Sequence, residues 1–249
     1  MRDNESALGP LAGWLTEAWA VLLPISCAGC GAADVVVCEA CRAELQPQLV
    51  RVRAGPGLPV PVFAALDYGG AVARVLSAVK EHGRTDALRC LVPGLRAAIG
   101  AALASGPAGV SERAGAARGP IILVTMPSAA AAVRRRGSRP VDDLVRAAGY
   151  PIARGCRLTV TRAIADQAGL SADERRANLR GAMRASAGVS NRRVILVDDV
   201  LTTGSTLSEA HRAIVERGGQ VVAAACLART VKRKVTRREL IGDSGWPPM

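Results

Sequence analysis

Residues 194–206 read VILVDDVLTTGST, and few folds can hold such a stretch. Val194 to Val197 has no polar residue on either face, so it reads as a central strand of a parallel sheet, buried on both sides. Asp198 and Asp199 fall at its carboxyl end, the edge where open α/β sheets bind ligands. Neighbouring carboxylates repel each other and are costly to bury unpaired. They become tolerable when they accept hydrogen bonds from a diol or sit near a metal-bound ligand. The loop Thr202, Thr203, Gly204, Ser205 and Thr206 leads into a helix predicted over Leu207 to Arg217. A helix N-terminus offers free N–H groups and partial positive charge to a phosphate. Gly204 permits close approach or positive φ, and the four hydroxyls add donors without charge. A sugar carrying a terminal phosphate would use all of these parts. A plain strand-to-helix turn with Ser/Thr capping is the competing reading. It accounts for Ser205 or Thr206 but not for the paired aspartates.

The 249 residues allow one medium domain with a small appendage. No apolar run is read as membrane-spanning, and no membrane partner is expected. Leu11 to Ile25 is apolar but contains Glu17 and follows Asp3 and Glu5, which does not suit a signal peptide. It is predicted to form an amphipathic helix within residues 1–26, with Leu11, Trp14, Leu15, Ala18, Trp19 and Leu22 on one face. A cytoplasmic location follows. The formal charge of +12 is carried almost wholly by arginine, since Lys80, Lys232 and Lys234 are the only lysines. Such a balance favours phosphates or nucleic acid as partners, although an Arg/Ala/Gly-rich composition alone would produce it. Aromatic residues make up only 2%, which argues against a base-stacking platform but leaves backbone binding open.

Cys27 and Cys30, then Cys38 and Cys41, form two C-x-x-C pairs seven residues apart, setting off a module over 27–47. Knuckles of this kind present four thiolates to one tetrahedral zinc ion, and a closed set of four makes the metal structural. The short gap is predicted to carry a small hairpin through Val35 to Val37. Disulfides are the alternative, disfavoured without an export signal. Cys90, Cys156 and Cys226 read as small buried hydrophobes.

Strands are predicted at Val60 to Tyr68, Ile121 to Val124, Leu158 to Thr161 and Gln220 to Leu227, besides the one already described. Helices are predicted at Ala71 to Glu81, Arg89 to Ala104 and Val141 to Ala148. Ser105 to Gly119 reads as a mobile loop, Arg162 to Met183 as an active-site flap, and 230–249 as a basic, disordered tail. Arg134 to Arg139 is a dense basic run: either a solvated helix end or, just after a strand of the same sheet, a face for an anion. Alternating strands and helices imply an α/β domain over 60–229 with a doubly wound parallel sheet.

These parts together resemble the ComF family of competence-associated proteins within the type I phosphoribosyltransferase superfamily. The resemblance rests on the four-cysteine module, on Lys80 to Arg84 (Lys-x-x-Gly-Arg), on Arg135, Arg136 and Gly137, on Arg162, Gln167, Leu170, Arg175, Arg176 and Asn178, and on the 194–206 loop. It implies a type I phosphoribosyltransferase fold with an amino-terminal zinc module, binding phosphoribosyl pyrophosphate (PRPP) or a ribose 5-phosphate with Mg²⁺. Asp198 and Asp199 would hold the ribose hydroxyls, with Asp199 the candidate catalytic carboxylate. Residues 202–206 would hold the 5′-phosphate. The turn at Met126, Pro127 and Ser128 would hold pyrophosphate, with Lys80 and Arg136 assisting. Where family members often carry Arg-Gly-aromatic-Asn-Gln, this chain has Ser138, Arg139 and Pro140 after Gly137. Three functions follow: a phosphoribosyltransferase of unknown acceptor, a non-catalytic protein handling single-stranded DNA in uptake or competence, or a PRPP-sensing regulator. A homodimer is compatible with each. The altered segment slightly favours the last two.

Overall fold

The computed structural model describes residues 25–53, 57–105, 119–127, 137, 139–162 and 179–231. Seven strands lie among them: β1 (Val50–Val52), β2 (Val62–Asp67), β3 (Ile121–Thr125), β4 (Leu158–Val160), β5 (Met183–Ala185), β6 (Arg193–Leu201) and β7 (Gln220–Arg229). Five helices accompany them: α1 (Glu39–Glu44), α2 (Gly70–Glu81), α3 (Thr85–Ala104), α4 (Pro140–Ala147) and α5 (Ser205–Glu216). The main sheet has the order β1-β2-β7-β6-β3. Its last four strands are mutually parallel, and β1 is added antiparallel at the β2 edge. β4 and β5 form a separate antiparallel pair.

Period-two burial explains the layering. Along β6, Ile195 and Val197 face a core shared with α2, α3 and α4, while Val194 and Leu196 face a second core shared with α5 and the β4–β5 pair. All four are fully buried, which is why the run shows no polar residue on either face. The sheet is therefore covered on both sides, a doubly wound α/β arrangement. An extra residue, Val222, bulges from β7 opposite the step from Val194 to Ile195, a device that locally increases strand twist. α3 packs along β2 and β7 and also touches α4. Gly94 allows the close approach: a Cβ there would stand 3.1 Å from Leu227 Cδ1 and 3.3 Å from Leu66.

α3 is also the one described helix long and apolar enough to cross a membrane, which the search for apolar runs did not pick out. Asp86, Arg89 and Arg96 interrupt it, and its apolar face, including Leu91, Leu95 and Ile99, is buried against the sheet. It is a core helix by packing.

Several elements depart from expectation. No hairpin forms at Val35 to Val37; a single antiparallel bridge joins Ser26 to Ala33 instead, and the second knuckle opens α1. With only seven residues between the pairs, a one-turn helix start presents Cys41 more compactly than a hairpin does. β1 was not foreseen, because three residues are too few for a pattern. β6 runs on to Leu201, so the aspartates lie inside the strand, paired to β7. α5 begins at Ser205, so Ser205 and Thr206 belong to its first turn. The predicted amino-terminal helix, most of the Ser105 to Gly119 loop, most of the flap and the tail from 232 lie outside the described residues.

Candidate functional site

The carboxyl edge of β6 gathers the predicted ribose-phosphate residues. Asp199 shares the face of Ile195 and Val197, and Lys80 Nζ from the last turn of α2 lies 2.6 Å from its Oδ2. Asp199 shares the lining of a small cavity with apolar Leu76, Val79, Leu88 and Leu91. Burial by itself would lower the Lys80 ammonium, but the attraction and hydrogen bond of Asp199, with lesser help from Asp198 and Glu81, hold it above its ordinary value. Asp198 is pushed up to about 8, first by burial and then by the neighbouring Asp199 charge, against the Asp199 N–H it accepts at 2.9 Å. Burial and the Asp199 charge thus work against ionisation of Asp198, while Lys80 sits on Asp199.

In the loop that follows, Gly204 takes φ +76° and caps α5 without a side-chain acceptor of its own. A helix start of this kind has first-turn N–H groups that can receive an anion. Thr203 Oγ1 bonds Ser205 Oγ at 2.9 Å and takes only a long 3.4 Å contact from Ser205 N–H, so the Ser/Thr-capping alternative is weakly represented. Thr202 is exposed, Thr203 and Thr206 are half-buried, and Ser205 is buried. Pro127 lies half-buried at the end of β3, next to buried Met126, whose N–H donates to Val197 O at 2.9 Å. Strand pairing thus sets the predicted pyrophosphate turn directly beside the acidic pair. Thr125 is tied to α4 through Asp142 at 2.5 Å. Ser128 and Arg136 lie outside the described residues, as do Arg134, Arg135 and residues 163–178 of the flap.

The β4–β5 pair, which bounds the flap segment, is pinned to α5 by residues the sequence reading missed. Glu209 is 5% exposed, and its Oε1 accepts the Met183 N–H at 3.0 Å. Arg212 donates to both Glu209 oxygens and, at 2.9 Å, to the Met183 carbonyl. Burial would raise the Glu209 acid, but Arg212 and the backbone donors outweigh it and hold the group below its ordinary value. An i,i+3 Glu–Arg pair was visible in the sequence, yet such pairs are usually solvated; burial is what the sequence does not show.

Cys27, Cys30, Cys38 and Cys41 converge with all Sγ atoms within 4.8 Å of one another, and Cys30 and Cys38 are 3.6 Å apart. A tetrahedron with ~2.3 Å Zn–S bonds has edges of nearly 4 Å, so the thiols fit zinc. Burial pushes Cys27 up, but N–H groups of Cys38, Cys30 and Gly29 outweigh it and bring the thiol to about 6. Burial and the three neighbouring thiols push Cys41 up to about 12. Gly29 is required by space: a Cβ there would meet Cys41 Sγ at 2.5 Å. Cys156 and Cys226 are buried and Cys90 is half-buried.

Residues 126–242 match the family described as phosphoribosyl transferase domain. The DNA utilization protein YhgH of Escherichia coli O157:H7 is 45% identical over 74 residues, covering 30% of this chain and 33% of the relative. Competence protein F of Haemophilus influenzae is 44% identical over 66 residues, covering 25% and 29%. The chain thus spans about a third of the length of these curated relatives. A hypoxanthine phosphoribosyltransferase structure from Staphylococcus aureus overlaps 59% of this chain and 65% of its own, at 12% identity and a TM-score of 0.30.

Proposed function

For this chain, which carries a phosphoribosyltransferase domain and has relatives of the ComF competence type, we propose binding of PRPP or a ribose 5-phosphate at the carboxyl edge of β6. One observation carries the reading. The acidic pair, with Lys80 on Asp199, and the glycine-capped N-terminus of α5 lie five residues apart on one continuous strand–loop–helix. Asp198 and Asp199 accept the ribose hydroxyls, and Thr202, Thr203, Gly204, Ser205 and Thr206 cradle the 5′-phosphate. Pro127, just past β3, and Lys80 serve the pyrophosphate in this reading, a role that extends to Ser128 and Arg136 by sequence position alone. Carboxylate and hydroxyl oxygens suit a hard cation, and Mg²⁺, when bound, supplies charge to the pyrophosphate.

In the transfer reaction the bond from C1 to pyrophosphate breaks as a nitrogen base attacks, and C1 passes through an oxocarbenium-like state. Asp199 is the carboxylate we assign to stabilising the charge that develops on that carbon. The cytoplasm, where thiols stay reduced, suits the four-cysteine zinc site.

Calorimetry tests the ligand. PRPP with Mg²⁺ binds the wild type and loses at least tenfold in affinity in Asp198→Asn/Asp199→Asn; equal affinities would remove the assignment. A pyrophosphate-release screen over a panel of bases then separates enzyme from PRPP-sensing regulator. A second reading, handling of single-stranded DNA, is favoured by the names of the relatives and by the net charge of +12. It requires DNA affinity that falls steeply with salt; a salt-independent affinity would sink it.

A further inference from the structure

Lys80 to Arg84 joins two sites that are separate in sequence. Its first residue reaches Asp199. Its last donates Nη1 to the carbonyl of Ser26 at 3.0 Å, beside the first cysteine knuckle. Between them Gly83 turns at φ +66°, and nothing lies within 4 Å of where a Cβ would be. The glycine is needed for its backbone angle alone. The cysteine module also holds the rest of α2. At the helix start, Glu44 Oε2 accepts the Ala71 N–H at 2.8 Å, in a place where no Cβ on Gly70 would fit. In its middle, Arg74 Nε donates to the carbonyl of Gly29. Cys27, Cys41, Ala71, Val72 and Val75 share one core. A twelve-residue helix is thus gripped at its start, its middle and just past its end.

We propose that the four-cysteine module is the positioning device for Lys80, holding its ammonium on Asp199 so that the metal site and the ribose site act as one coupled unit. The functional consequence rests on Asp198 and Asp199 being the ribose site; the mechanical link rests on the contacts alone. A lysine on a flexible stem gains little from an ion pair unless its backbone is already placed. If α2 shifts, Asp199 loses its partner, and the arrangement that receives a diol is disturbed. The links in this chain are Glu44, Arg74 and Arg84, none of which touches the acidic pair.

The test reads Lys80 directly. An ammonium held on a carboxylate acylates slowly, because only the free amine is nucleophilic. In full-length, metal-loaded protein, limiting acylation followed by peptide mass analysis reports Lys80, with Lys232 and Lys234 as internal controls. Glu44→Ala, which removes the acceptor, and Arg84→Gln should each speed labelling of Lys80 roughly threefold to tenfold, as expected for residues in one network. Metal chelation should do so by more, with the two tail lysines unchanged. PRPP affinity should fall by a similar factor in both variants, and the fall should vanish in a Lys80→Met background. Unchanged Lys80 labelling in both variants and after chelation would overturn the proposal. So would PRPP affinities that add independently of Lys80. Faster labelling in protein that binds no PRPP would keep the mechanical link and refute the ribose reading instead.

Discussion

Four thiols converge in the amino-terminal module, and two carboxylates sit side by side at the end of β6. Both sites gather anionic groups against their mutual repulsion. The thiols come from a span of fifteen residues and lie close to a closed tetrahedron that fits one metal ion. The carboxylates find their cation within the chain: Lys80, 119 positions away, sits on Asp199. One set of anionic groups is spaced for an ion from outside, and the other already has a counter-charge of its own.

The largest expected effect tests the first half of that contrast. Chelation of the metal should unfold the module and lower Tm by more than ~10 °C, since structural zinc supplies folding free energy of several kcal/mol or more. Calorimetry with metal counting checks it, and an unchanged Tm would erase the distinction between the sites. Glu209→Ala is next. It orphans the Met183 N–H and one side of Arg212, at a cost of about 2–3 kcal/mol in chemical denaturation. The buried acid next to the ion pair at β6 should tolerate change better. Asp198 has a folded-state value of about 8 against an ordinary 3.8, so the folded protein binds the extra proton between those values and loses stability as pH rises through the window. Asp198→Asn should therefore leave Tm unchanged near pH 4 and raise it by several degrees at pH 8. An equal effect at both pH values would mean that Asp198 is not held neutral by its surroundings. The smallest effect is Gly83→Ala, about 1–2 kcal/mol for a left-handed angle in open space. A near-zero cost would mean that the turn is easily re-formed.

Local chemistry was legible and remote chemistry was not. The apolar run of β6, the glycine cap of α5 and the two knuckles are each specified within a dozen or so residues, and each appears in the structure. The end of β6 was misjudged because charged residues suggest a strand terminus, whereas β7 continues to pair with Asp198, Val200 and Leu201. Lys80 was singled out, but its pairing with Asp199 depends on α2 lying close to the edge of β6, which no spacing encodes. Glu209 was passed over because a carboxylate in an amphipathic helix is ordinarily solvated. Glu44 and Arg84 were invisible as links, since their partners are main-chain atoms that any sequence offers.

The place of β7 has a consequence for how the chain is made. This strand lies between β2 and β6, yet it is the last strand in the described sequence. A growing chain cannot complete the sheet until residue 229 has been synthesised. Until then β2 has no neighbour on one side, and the apolar face of α3, with Leu91, Leu95 and Ile99, has no β7 to cover it. At ~5–20 residues per second, the wait from α3 to β7 lasts roughly 6–25 seconds. A synthesis stall before residue 220 should therefore leave that apolar surface open and be marked by aggregation.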